Sequence, residues 1–125
     1  RVTYAQDGLL EPFSAWEKAS DSLPGPSFDL MATSGAGTLF PAGALHPDAL
    51  DEARYVELAF HTDDLWWFFQ ARRNGTTVRR LPGNRPLEFF PETQEVGLWQ
   101  TGNKDRNDIN FKKLVDEIGV EDGNK

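Results

Sequence analysis

Two adjacent carboxylates, Asp63 and Asp64, stand directly before the run Leu65-Trp66-Trp67-Phe68-Phe69, and His61 lies just ahead of them. A carboxylate set beside aromatic surface is suited to general-base work on a hydroxyl. The same pair suits the first turn of a helix, where the backbone dipole favours negative charge. Both roles are open on the residues alone, as a structural and a catalytic role are for His61. The loop Gly35-Ala36-Gly37 lets the backbone approach a ligand closely. It lacks the third glycine and the following long helix of a dinucleotide fingerprint. Trp16, Trp66, Trp67 and Trp99 could stack on sugar rings or fill a core. Asn74-Gly75-Thr76 matches a glycosylation acceptor and equally a helix C-terminal cap; the cap needs no secretory signal. With histidine only at His46 and His61 and no cysteine, no metal-ligand spacing is present.

The elements that must position these residues follow from periodicity and punctuation. A helix is expected from Thr62 as N-cap through Arg72 and Arg73, closed by Asn74-Gly75. Its apolar residues point in almost every direction, so it should be buried. A shorter helix is expected over Glu52–Ala59, a turn at His46-Pro47-Asp48, and a helical turn at Pro12-Phe13 carrying Trp16. A last helix is expected to be capped by Asn107 and to end at Gly119, with Phe111, Leu114, Val115 and Ile118 on one face. Short strands are expected at Arg1–Ala5, Phe28–Ala32, Gly37–Phe40, Thr76–Leu81 and Leu87–Phe90. Pro24-Gly25-Pro26 excludes regular structure there. The resulting expectation is an α/β unit, a small mixed sheet with about three or four helices. Residues 1–120 would form a single domain and 121–125 a flexible tail.

Composition bounds the function. The chain has 125 residues, 38% apolar and 12% aromatic, which reads as globular. A net charge of −7 argues against a nucleic-acid backbone or an anionic membrane as partner. No apolar run is long enough to span a bilayer, and no signal peptide is visible, so a cytoplasmic location is expected. Sheet edges in so short a chain make a homodimer possible.

A resemblance joins these pieces. Pro26-Ser27-Phe28-Asp29-Leu30, Gly35-Ala36-Gly37-Thr38-Leu39-Phe40-Pro41, Leu45-His46-Pro47-Asp48, Asp63-Asp64-Leu65-Trp66 and Asn74-Gly75-Thr76 follow one another in an order similar to the C-terminal half of bacterial polysaccharide-biosynthesis glycosyltransferases of the GT-A type. Asn107-Asp108 extends the similarity toward residue 118. The resemblance implies the acceptor-side half of a GT-A fold, moving a sugar from a nucleotide sugar to a saccharide acceptor. It implies Asp64, with Asp63 beside it, as the base that deprotonates the acceptor hydroxyl. It implies Gly35 to Phe40 against the donor sugar and Trp66 shaping the acceptor pocket; His61, just before the pair, is a further candidate substrate-binding residue. In such enzymes Mn²⁺ or Mg²⁺ is held on the diphosphate by an Asp-X-Asp motif of the nucleotide-binding half. No Asp-X-Asp occurs in this chain, so the ion is expected in the complete enzyme and not on these residues. On this reading the chain is the C-terminal portion of a longer enzyme, inactive alone. The alternative is a non-catalytic carbohydrate-binding or interaction domain.

Overall fold

Helix ends are set where the sequence supplies partners for unpaired backbone groups. The computed structural model describes residues 5–6, 9–16, 24–83, 88–97, 102 and 104–119. Helix α1 spans Glu52–Ala59 and starts at Asp51, whose carboxylate accepts the Arg54 N–H at 3.1 Å. Helix α2 spans Asp63–Arg73 and helix α3 spans Lys104–Ile118. Thr62 holds the N-cap position of α2, yet its hydroxyl does not cap. It donates to the Ala59 carbonyl at 2.8 Å and accepts from Asn110 Nδ2 of α3 at 2.9 Å, tying all three helices at one point. The C-terminus of α2 closes as expected: Gly75 N–H donates to Arg72 O and Thr76 N–H to Ala71 O, both at 2.9 Å. This is the paired arrangement of a Schellman cap.

Burial explains why α2 carries so much aromatic mass. Leu65, Trp66, Phe68, Phe69, Gln70 and Ala71 are all buried, as a helix apolar on most sides requires. The turn Phe13–Ala15 brings Phe13 and Trp16 onto this core. The Trp16 ring lies 5.3 Å from Phe68 and 5.4 Å from Phe111, both edge-on, and its Nε1 donates to Glu11 O at 2.7 Å. Edge-to-face packing suits the aromatic quadrupoles, and the buried N–H has its acceptor. Arg72 clamps the loop before α1 to the core. Its Nη1 donates to Phe28 O at 2.7 Å while the guanidinium lies over the rings of Phe28 and Phe68.

The mixed sheet expected from the sequence is not what forms; among the described residues helices far outweigh strands. Among the described residues the strands are β1, Ala5–Gln6, and β2, Leu9–Leu10, paired antiparallel, and Ser27 forms an isolated bridge with Val78. Phe28–Ala32 does not extend into a strand, although Leu30 and its neighbour Met31 are both buried. Local bonds compete: the Asp29 N–H donates to Ser27 Oγ at 3.0 Å. Where Gly37–Phe40 was expected to be extended as a strand, Ser34–Ala36 makes a tight turn and no partner strand follows. Thr76–Leu81 forms a bridge at Val78 and a further backbone bond from the Arg80 N–H to Pro24 O at 2.8 Å, and Leu81 is left exposed. Residues 88–90 are not strand; residues 1–4, 87, 99 and 121–125, on which further expectations fell, lie outside the described residues. Asn107 does not cap α3; it is buried one turn inside it. The long sheet edge that suggested a homodimer is therefore missing among the described residues. No helix of these residues is long and apolar enough to cross a membrane.

The Ser27–Val78 bridge rests on a glycine. Gly25 has φ +84, and a Cβ there would lie 2.6 Å from the Val78 carbonyl oxygen. Gly25→Ala is expected to destabilise the protein by about 1–3 kcal/mol through backbone strain alone, with the collision added. The midpoint of urea unfolding reads this. Gly37→Ala, at φ +92 in open space, bears only the strain and is the matched control.

Candidate functional site

The first turn of α2 and the Ser34–Ala36 turn meet. Asp64 Oδ1 accepts two hydrogen bonds from Ser34, from the backbone N–H at 3.0 Å and from Oγ–H at 2.6 Å. Both bonds fall on one carboxylate oxygen. That fixes the plane of the group and leaves Oδ2 to other partners. Asp63 is exposed beside it. Gly35 and the backbone of Ala36 belong to the same turn, and Gly37 follows with φ +92 and no atom within 4 Å of where a side chain would start. A ligand can approach the backbone there without meeting a Cβ.

From this turn the chain runs along α2 as a strap. Phe40 packs its ring 6.1 Å from Trp67, with Leu39 almost wholly exposed next to it. Asn74 Nδ2 donates to Gly43 O at 2.8 Å, and the His46 N–H donates to Gln70 O at 3.1 Å. The strap ends in a turn, Pro47–Leu50, with His46 as its N-cap. His46 Nδ1 accepts the Asp48 N–H at 3.1 Å, which puts the imidazole proton on Nε2. Asp48 Oδ2 accepts from Arg73 Nη1 at 3.0 Å. That charge-assisted bond, helped by the nearby positive groups, holds the Asp48 carboxyl below its ordinary range.

No protein-family model, curated protein or solved structure matches this chain. The site is therefore read from its own geometry.

Of the residues singled out from the sequence, the structure brings Asp63, Asp64, Gly35, Ala36 and Gly37 to one place, with Phe40 next along the strap. Trp66 does not join them. It is only 1% exposed, and its Nε1 donates to Ala49 O at 3.1 Å inside the core. Trp67, half-buried and against Phe40, takes the position on the strap side of the helix. Helical spacing carries that distinction: Trp67 is three residues from Asp64 and shares its face, whereas Trp66 is two away. His61 lies elsewhere, in a left-handed conformation at φ +65 with its ring 4.0 Å from Phe60. Ser34 and the Asp48–Arg73 pair carry no sequence signal linking them to their partners. Asn74-Gly75-Thr76 serves as the α2 cap.

Among the described residues no three His, Asp or Glu side chains gather closely enough to hold a metal ion.

Proposed function

We propose that this chain is the acceptor-side, C-terminal portion of a cytoplasmic glycosyltransferase that moves a sugar from a nucleotide sugar to a saccharide acceptor. The observation that carries the proposal is the Ser34–Asp64 pairing. It joins the Gly-Ala-Gly loop to the acidic helix start across 30 residues of chain, and those are the two segments with the chemistry such a reaction needs. A sugar hydroxyl is a poor nucleophile; a carboxylate held within hydrogen-bond reach removes its proton as the bond to the donor carbon forms. Asp64 is that base, with Oδ1 anchored by Ser34 and Oδ2 facing the reaction. Asp63 adds negative charge beside it. The open backbone at Gly37 gives the donor sugar a surface without side-chain obstruction.

Ser34→Ala tests the pairing. It removes the Oγ–H bond and keeps the backbone N–H bond, so transfer by the full-length protein should fall about tenfold, the worth of one charged hydrogen bond. Ser34→Thr should restore most of it. Equal transfer by the alanine variant and wild type would contradict the anchoring role.

One observation favours a second reading, a non-catalytic carbohydrate-binding domain. The Phe40 and Trp67 rings sit together at the surface of the strap, where a sugar ring could stack. Saccharide binding lost on Phe40→Ala, with no transfer from any nucleotide sugar, is the result that reading requires.

A further inference from the structure

We infer that Asn74 is a site of spontaneous deamidation, and that its conversion to aspartate or isoaspartate unfastens the strap from α2. Asn74 is the one asparagine of the chain that precedes a glycine, and it is exposed. The Gly75 backbone nitrogen attacks Asn74 Cγ, a C–N bond forms, and the bond from Cγ to Nδ2 breaks. The attacking nitrogen gives up its proton and the side-chain amide leaves as ammonia, which closes a succinimide ring. Water then opens that ring at either carbonyl, yielding aspartate or isoaspartate; no other reactant is needed. Gly75 presents no Cβ to hinder the attack.

The fold decides when the ring closes. Asn74 stands at the C-terminus of α2 with ψ −2, which turns the Gly75 nitrogen away from the Asn74 side chain. The Gly75 N–H is also held by Arg72 O at 2.9 Å, and Asn74 Nδ2 donates to Gly43 O at 2.8 Å and to Thr76 Oγ1 at 3.1 Å. These bonds must open before the nitrogen can reach Cγ, and helix ends open at lower cost than helix centres. Deamidation is thus held back by the same bonds it destroys. Aspartate at this position has no Nδ2 hydrogens, so the Gly43 carbonyl loses its donor and faces a carboxylate. Isoaspartate also lengthens the main chain by one carbon. That displaces the Gly75 and Thr76 N–H groups from Arg72 O and Ala71 O, the two bonds of the cap. Gly43 lies shortly before His46, whose N–H donates to Gln70 O, so the next tie of the strap is the one that loosens.

The experiment is incubation of the protein at mildly alkaline pH, followed by peptide mapping by mass spectrometry with isoaspartate separated from aspartate. A parallel sample is incubated unfolded in urea. Modification should accumulate at Asn74 ahead of every other asparagine, and about tenfold or more slowly in the folded sample, the protection expected of a bonded helix end. The aged protein should show faster hydrogen exchange at the His46 and Thr76 amides than fresh protein. Asn74→Asp, made directly, should reproduce the change at His46 without ageing, and Asn74→Gln should block the modification. A change in the aged protein that Asn74→Asp does not reproduce assigns the release to isoaspartate. Folded protein that stays unmodified at Asn74 while the unfolded sample reacts, equal rates in the two samples, or unchanged His46 exchange in the aged protein would overturn the inference.

Discussion

Asp64→Asn should lower the rate of glycosyl transfer by about 10²–10⁴-fold, the usual contribution of a positioned general base. The substitution is conservative in the way that matters. An asparagine Oδ1 still accepts from the Ser34 N–H and Oγ–H that Asp64 Oδ1 accepts from now, so the loop tether survives. What is lost is the capacity of the other atom to take a proton. The turnover number should fall with little change in the Michaelis constant for the acceptor, and the unfolding midpoint should move little. Asp63→Asn leaves the anchored carboxylate in place and should have a smaller effect. A variant in which Asp63→Asn is the more damaging change would exchange the roles of the two residues.

Trp66→Ala should be the most damaging core substitution, costing about 3–5 kcal/mol by the usual range for buried aromatics. The ring is 1% exposed, lies 5.9 Å from Tyr55, and its Nε1 donates to Ala49 O. Truncation opens a cavity in the middle of α2 and leaves the Ala49 carbonyl without that donor. Trp66→Phe retains most of the volume and loses the hydrogen bond, so it should cost about 1–2 kcal/mol. Denaturant titration of the three proteins separates packing from hydrogen bonding. Similar losses from alanine and phenylalanine would place the energy in the Nε1 bond instead of the ring.

The helices were legible because each is written locally. Pro47, the apolar run after Asp64 and the Asn74-Gly75 stop are signals within one or two turns of the boundaries they set. The sheet was misread for the same physical reason in reverse. Strand pairing is non-local, and alternation along Thr76–Leu81 carries no information on whether a partner is there; Val78 bridges to Ser27 and the Arg80 N–H reaches Pro24 O, with no strand formed. Asn107 has the composition of a cap, yet three residues earlier the chain is already helical, and its amide is buried within α3. At the candidate site, the Asp63-Asp64 pair and the glycine loop stood out by residue type. Their meeting through Ser34 did not, since a serine thirty residues upstream of an aspartate has no periodic relation to it. Trp66, expected at the acceptor pocket, is buried in the core, while Trp67, three residues from Asp64, shares its helix face.

The measurement that tests the central claim most directly is detection of glycosylated acceptor by mass spectrometry. The full-length protein and its Asp64→Asn variant would be incubated with a panel of nucleotide sugars and saccharide acceptors. The expected result is a mass increase of one sugar residue for wild type with at least one donor, and a product yield from the variant lower by at least a hundredfold at equal time, within the general-base range. Equal yields from the two proteins, or no product from wild type with any donor, would contradict the assignment of Asp64 as the base of a glycosyl transfer.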